Sequence, residues 1–139
     1  MATGYQISFD ASDPRALGAF WAQALQGYVE QPPPPGHDSW EAFGEAVGLP
    51  ADTIDRMYAL VDPQGVLPRL LFQKVPEGKE SKNRMHLDVN VGSHGDLGPA
   101  REHAARLVAA GATLVEERRD QMSAWIVLLD PEGNEFCVQ

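Results

Sequence analysis

The stretch Asp62-Pro63-Gln64-Gly65 recurs later in the chain as Asp130-Pro131-Glu132-Gly133. Each copy precedes a short apolar run, Leu70-Leu71-Phe72-Gln73 in the first half and Phe136-Cys137-Val138-Gln139 in the second. The Asp-Pro-x-Gly pattern favours a tight turn, because proline presets one backbone angle and glycine accepts the left-handed conformation that many turns need. Each copy therefore predicts a turn followed by a strand, and the recurrence predicts that one half-sized unit is used twice.

The beginnings of the two halves agree as well. The runs 6–9 and 86–89 each predict a strand, and a helical pattern that ends at Gly27 or Gly111 follows each of them. We therefore expect an α+β fold of two βαβββ modules that form a concave mixed sheet with helices on the outer face. The predicted boundaries are 4–75 for the first module with an insertion at 32–57, a linker at 76–83, and 84–139 for the second module. Together they span 1–139 as a single domain.

Composition restricts the classes of partner. The 20 acidic and 11 basic side chains give a formal charge of −9, which disfavours nucleic acid and anionic membrane surfaces. The single cysteine excludes a disulfide within the chain. The sequence has no basic segment followed by an apolar stretch at its start, and no apolar run of membrane-spanning length. We therefore expect a cytoplasmic protein whose partner is a small molecule.

Alternation of apolar and polar residues assigns a face to each strand. In the two leading strands the apolar face, which includes Met85, is expected to meet a helix. The opposite face is expected to point into a cavity between the modules. The polar side chains predicted on that face are Gln6, Ser8, His86, Asp88 and Cys137. Trp125 is expected to line the cavity together with Val127.

The stretch 32–57 has no counterpart in the second half. Its residues 38–41, Asp-Ser-Trp-Glu, predict the capped start of a helix that carries Trp40, Phe43 and Val47 on one side. Aromatic residues at helical spacing are usually core. An insertion between the strands of a concave sheet is also suited to be a lid, so we expect a helical flap in which Trp40 and Phe43 contact the ligand.

Several stretches together resemble one known superfamily. They are Ala11-Ser12-Asp13-Pro14, Phe20-Trp21, Lys82-Asn83-Arg84-Met85-His86-Leu87-Asp88, and the closing Asp130-Pro131-Glu132-Gly133-Asn134-Glu135-Phe136-Cys137-Val138. The chain resembles the vicinal oxygen chelate superfamily, which includes glyoxalase I, extradiol dioxygenases and bleomycin-resistance proteins, and it is most similar to the glyoxalase-like branch. The resemblance implies the paired-module fold. It implies no single activity, because this scaffold hosts isomerases, lyases, oxygenases and metal-free binding proteins.

Enzymes of this superfamily generally bind a divalent metal with one residue from each leading strand and one from each closing strand. The resemblance places these four positions at Gln6, Leu71, His86 and Cys137. Leucine cannot coordinate a metal and the set has lost its carboxylates, so no metal cofactor is expected. Gln6, His86 and Cys137 remain the residual candidates for a divalent metal, and Asp88 is a substitute ligand.

Other roles are open for the same residues. His86 is expected to be hydrogen-bonded by Asp88 or by a backbone carbonyl, and Cys137 is expected to be a small buried residue, with a Cys-His nucleophile as the alternative. Catalytic residues remain unassigned. The other histidines, His37, His94 and His103, are expected in loops or on a polar helix flank and receive no role.

The functional prediction is a glyoxalase-like protein that binds a small organic molecule in the concave cavity, without metal. One alternative is a divalent-metal-dependent lyase, isomerase or dioxygenase. The other is a drug-sequestering protein of the bleomycin-resistance type, which the resemblance implies would be a homodimer with clefts formed between chains. The acidic charge of the chain suits a cationic drug.

Overall fold

The computed structural model describes residues 1–93 and 95–139, so His94 lies outside the described residues. The chain forms two compact units. The first unit comprises residues 1–22 and 26–78, and the second comprises residues 23–25 and 79–139. No helix in the described part of the chain is long and apolar enough to cross a bilayer.

The first unit contains a four-stranded mixed sheet. Its elements in chain order are β1 (Ile7–Ala11), α1 (Pro14–Ala24, of which the last two residues group with the second unit), β2 (Val29–Glu30), α2 (Trp40–Val47), a short 3-10 helix (Ile54–Arg56), β3 (Met57–Val61) and β4 (Leu70–Lys74). The strand order is β1-β4-β3-β2, with β1 parallel to β4 and the other neighbours antiparallel. The two-residue strand β2 was not predicted, because so short a run has no periodicity to detect.

The second unit repeats this arrangement. It contains β5 (Asp88–Val89), α3 (Leu97–Ala109), β6 (Thr113–Arg119), β7 (Ala124–Leu129) and β8 (Glu135–Val138). The strand order is β5-β8-β7-β6, again with the first strand parallel to the last. The predicted α+β class with two βαβββ modules is therefore confirmed.

The duplicated turns have the same chemistry. The Gly65 N–H donates to the carbonyl of Asp62 and the Gly133 N–H donates to the carbonyl of Asp130, both at 2.9 Å. Each aspartate carboxylate also accepts backbone N–H groups from the turn, at 2.9 to 3.0 Å. Both glycines have positive φ, 68° and 86°, which a residue with a Cβ rarely adopts. The recurring sequence therefore produces a recurring turn that leads into β4 and β8.

Aromatic packing between one sheet face and α1 forms the core of the first unit. Helix α1 begins after Asp13, whose carboxylate accepts the Ala16 N–H at 3.0 Å. The ring of Phe9 lies 5.2 Å from that of Trp21 and 4.9 Å from that of Phe72. Ser8, on the opposite face of β1, is exposed. The alternation therefore assigned the faces of β1 as the structure has them.

The second unit has the same division of faces, with two departures from the sequence predictions. Phe136 and Val138 of β8 are fully buried, whereas Cys137 between them was expected to be a small buried residue and is only partly buried. Met85 was assigned to the apolar face, but it is 77% exposed because regular strand pairing begins only at Asp88. Two residues before Met85, the Asn83 N–H donates to the carboxylate of Glu135 at 3.0 Å.

His103 was expected on a polar helix flank, and the structure places it in the core. Its side chain is 1% exposed, and its Nε2–H donates to the carbonyl oxygen of Ala24 at 2.9 Å. The Arg106 guanidinium donates to the other ring nitrogen at 3.3 Å. The helical pattern of α3 did not reveal this burial, because histidine counts as polar in a hydrophobic periodicity and the partner carbonyl is 79 residues away.

Candidate functional site

A cavity of about 180 Å³ lies in the first unit, against β3 and β4 and under the insertion. Most of its lining is aromatic or aliphatic, and a few polar side chains lie at its wall. The apolar lining residues are Trp40, Phe43, Leu49, Ile54, Met57, Ala59 and Leu71. Ala59 and Leu71 are paired in register across β3 and β4, so both side chains project from the same sheet face.

Helix α2 contributes the aromatic wall of this cavity. Ser39 caps it as the sequence predicted, because its hydroxyl accepts the Ala42 N–H at 3.0 Å, and the helix ends at Gly48 with φ 74°. The rings of Trp40 and Phe43 meet edge to face at 5.9 Å and both line the cavity. Val47 was predicted on the same side of α2, but it is 52% exposed and is not part of the lining.

Gln31 connects the aromatic wall to the sheet. Its backbone N–H donates to the carbonyl of Ala59 at 2.9 Å, and its carbonyl accepts the indole N–H of Trp40 at 2.8 Å. Its side-chain oxygen accepts the Nε–H of Arg69 at 2.6 Å. Three bonds from different directions therefore hold Gln31, Trp40 and Arg69 in one arrangement at the cavity wall.

Arg15, Glu30 and Tyr58 lie at another part of the wall. The Arg15 guanidinium lies 3.7 Å from the Glu30 carboxylate and 3.5 Å from that of Glu41, and it stands over the Tyr58 ring at 5.4 Å. Burial, followed by the negative charge of Glu30, raises the pKa of the Tyr58 hydroxyl, so this group is a neutral donor and acceptor at physiological pH. One guanidinium therefore faces two carboxylates on this side of the cavity, so its positive charge is fully compensated.

The predicted site residues Gln6 and Ser8 lie on the open side of the first sheet. Ser8 is in register with Leu71, a cavity residue. The side-chain oxygen of Gln6 accepts the Nη1–H of Arg69 at 2.9 Å, and its amide nitrogen lies 3.4 Å from the Ser8 hydroxyl. The oxygen that would ligate a metal is therefore occupied by a guanidinium, whose positive charge disfavours a cation beside it.

In the second unit, three predicted residues form a cluster on the sheet face away from α3. They are His86, Asp88 and Cys137, and one candidate ligand atom from each lies within 4.8 Å of the other two. The His86 Nδ1–H donates to the Asp88 carboxylate at 3.2 Å, as the sequence predicted. Burial and then the neighbouring Asp88 raise the pKa of the Cys137 thiol to about 11. The thiol is therefore protonated at neutral pH, which argues against the Cys-His nucleophile.

Trp125 lies on the same face of the second sheet. It is half-buried and is paired in register with Arg118, whose guanidinium bonds to Glu116. Two residues further along β7, Val127 is paired in register with Cys137 of β8. That these residues share a ligand cavity with Gln6 and Ser8 stays a prediction.

The His86, Asp88 and Cys137 donor set can be compared with what metals prefer. A hard ion such as Mn²⁺ favours six oxygen or imidazole ligands in an octahedron, and one carboxylate with one imidazole falls short of this. Zinc accepts thiolate, imidazole and carboxylate ligands, and three protein ligands are usual in catalytic zinc sites. The set therefore does not fit a hard octahedral ion, and it fits zinc only when the thiol loses its proton.

A larger cavity of about 420 Å³ lies between α3 and β6 in the second unit. Its two charged lining residues, Arg101 and Glu117, form an ion pair at 2.6 Å. The remaining lining residues are small or aliphatic, so among the described residues the polar lining of this cavity consists of two groups that are already bonded to each other. We therefore place the candidate site in the first unit.

Comparison with known proteins identifies the family. The family model of the glyoxalase-like domain matches residues 6–139. The chain belongs to the glyoxalase-like domain family. This confirms the superfamily that the sequence motifs predicted. Among proteins with curated descriptions, none is significantly similar to this glyoxalase-like chain in sequence.

Several solved structures of other proteins have the same fold over nearly the whole chain. A glyoxalase/bleomycin resistance protein/dioxygenase family enzyme from Burkholderia phytofirmans PsJN is 19% identical, with a TM-score of 0.64 and coverage of 96% of this chain and 94% of that one. The fosfomycin resistance protein FosX from Mesorhizobium loti is 11% identical, with a TM-score of 0.66 and coverage of 100% and 92%. A mutant FosX from Listeria monocytogenes, in complex with Mn(II) and 1S,2S-dihydroxypropylphosphonic acid, is 14% identical, with a TM-score of 0.64 and coverage of 100% and 90%. At these identities the likeness shows the fold alone.

Sequence reasoning did not find the polar residues of the first-unit cavity. Gln31 precedes a run of prolines, Tyr58 begins a predicted strand, and Arg69 follows another proline. None of these contexts differs from that of an ordinary surface residue. Their convergence depends on the pairing of strands that are far apart in the chain.

Proposed function

We propose that this glyoxalase-like protein binds a small organic molecule in the first-unit cavity and needs no metal ion to do so. The observation that supports the proposal is the cavity itself, in which aromatic and aliphatic walls surround a few fixed polar groups. Small-molecule sites in proteins commonly have this composition. The aromatic residues Trp40 and Phe43, which the sequence assigned to the ligand, are part of the lining.

The cavity volume sets the size of the molecule. An engineered protein cavity of about 150 Å³ holds benzene. The first-unit cavity of about 180 Å³ therefore has room for one ring with a small substituent. Larger ligands would have to extend past the rim or displace the insertion.

A divalent-metal enzyme is the second candidate function, and the His86, Asp88 and Cys137 cluster is the observation that favours it. The FosX structure that holds Mn(II) belongs to the same fold. The donor set here fits zinc better than manganese, and a bound zinc ion would act as a Lewis acid. This candidate predicts stoichiometric zinc in purified protein, which the metal-free proposal does not.

The metal-free proposal is tested with three probes of similar size and different charge: benzyl alcohol, benzoate and benzylamine. Binding is measured by saturation-transfer NMR and by titration of protein chemical shifts. We expect at least one probe to bind the unaltered protein. Ala59→Phe fills the cavity from the sheet side and should abolish that binding, whereas Ala46→Phe adds the same side chain on an exposed part of α2 outside the lining and should not.

Leu71→Phe is a second cavity-filling variant, in case Ala59→Phe does not fold. Circular dichroism and thermal melting establish that each variant is folded. The proposal is wrong if no probe binds the unaltered protein, or if probes bind both filled variants as well as they bind Ala46→Phe.

A further inference from the structure

We infer that the first-unit cavity selects a small aromatic or cyclic carboxylate through the guanidinium of Arg69. The inference rests on the proposed function and specifies its ligand class. It is independent of the acidic net charge of the chain, which by itself would suggest a cationic ligand. At contact distance the groups that line the cavity determine which ligand charge is favoured, because the charges on the rest of the surface are screened by salt.

Arg69 is half-buried at the cavity wall, immediately before β4. It donates Nε–H to the side-chain oxygen of Gln31 at 2.6 Å and Nη1–H to that of Gln6 at 2.9 Å. Both acceptors are neutral amides, so these bonds orient the guanidinium without neutralising its charge. A guanidinium has five N–H donors.

Three of those five N–H groups have no partner within residues 1–93 and 95–139, and no carboxylate in that part of the chain forms an ion pair with Arg69. Arg15, the other cation of the cavity, is flanked by Glu30 and Glu41. The cavity therefore has one compensated cation and one uncompensated cation. A carboxylate is the ligand group that complements a guanidinium best, because it accepts two parallel N–H bonds.

The orientation of Arg69 is set before any ligand arrives. Its main acceptor, Gln31, is held by the Ala59 carbonyl and by the Trp40 indole. The same indole forms part of the apolar wall, so the anion-binding group and the ring-binding surface are connected through one hydrogen-bonded chain. Such preorganisation reduces the entropy lost on binding. A ligand with a ring against Trp40 and a carboxylate toward Arg69 satisfies both parts of the cavity.

The test compares benzoate with benzyl alcohol, which differ in charge but little in size. We expect the unaltered protein to bind benzoate roughly tenfold to a hundredfold more tightly at pH 7 and low salt. Arg69→Met should lower the affinity for benzoate to about that for benzyl alcohol, and Arg69→Lys should retain part of the preference. Arg56→Met is the matched control, because Arg56 is exposed, bonds to Asp52 and is outside the cavity lining.

The outcomes separate the two proposals. If the probes bind but benzoate shows no preference over benzyl alcohol, or if Arg69→Met keeps the preference, the carboxylate inference is wrong and the proposed function stands. If no probe binds, both are wrong. Should Arg69→Met fail to fold, the affinity ratio in the unaltered protein decides the inference.

Discussion

Glu135 connects the start of the second unit to its last strand. Its carboxylate accepts Lys79 Nζ–H at 3.0 Å through one oxygen and the Asn83 N–H at 3.0 Å through the other. Burial raises the pKa of this carboxyl, but the bonds from Asn83 and Lys79 outweigh burial and lower the pKa from 4.5 to about 2. We predict that Glu135→Gln, which keeps the shape but removes the charge, lowers stability in a pH-dependent way.

The sign and size follow from linkage between protonation and folding. A carboxyl whose pKa is lower in the folded state stabilises that state at pH values above its unfolded pKa, and the stabilisation disappears as pH falls toward the folded pKa. The difference between 4.5 and about 2 corresponds to about 3.4 kcal/mol at 1.36 kcal/mol per pH unit. Because a fifth of the side chain is exposed, solvent screening reduces this energy. We therefore expect Glu135→Gln to lower the free energy of unfolding by about 1.5 to 2 kcal/mol at pH 7.

The assay is urea denaturation followed by circular dichroism and tryptophan fluorescence between pH 7 and pH 3. The difference in the free energy of unfolding between unaltered protein and Glu135→Gln should be constant from pH 7 to about 5.5 and should shrink steadily below pH 4.5. Glu80→Gln is the control, because Glu80 lies in the same segment and is exposed. A difference near zero at pH 7, or one that does not shrink at low pH, would refute the reasoning.

Three further predictions concern the cavity, the metal and the core. Trp40→Phe removes the 2.8 Å bond to Gln31 and should lower stability by about 1 kcal/mol in urea denaturation, whereas Trp40→Ala should also weaken probe binding. A stability loss of about 3 to 5 kcal/mol with intact probe affinity would instead make Trp40 a core residue. Protein purified without chelator should contain well under one equivalent of nickel, zinc, iron or manganese by elemental analysis; stoichiometric metal that is lost in His86→Ala would contradict this. Gly18→Ala would place a Cβ in steric overlap with the Tyr58 ring, so thermal melting should show destabilisation of about 1 to 3 kcal/mol rather than the gain that helix propensity alone predicts.

Local patterns predicted much of this fold for identifiable reasons. The Asp-Pro-x-Gly turns form from bonds within five residues, so their sequence is sufficient to recognise them. The apolar and polar residues of 135–138 alternate with a period of two, and the residues of β8 alternate in the same way between partly exposed and buried. The capped start of α2 is likewise local, because Ser39 bonds to Ala42. Two exceptions are Met85, which precedes the first paired residue of β5, and His103, whose partner carbonyl belongs to Ala24, 79 residues away.

The sequence by itself therefore determined the repeated turn, most of the strand faces and the aromatic insertion, because each is encoded within a few residues. Its motifs also resembled those of the family that the comparison then identified. Only the tertiary structure decided which polar groups meet at the cavity. Arg69 reaches Gln6 across 63 residues and Gln31 across 38, and both bonds exist because β1, β4, β3 and β2 pair in one particular register. The electrostatic character of the candidate site depends on that register, since a carboxylate in place of either amide would have neutralised the guanidinium.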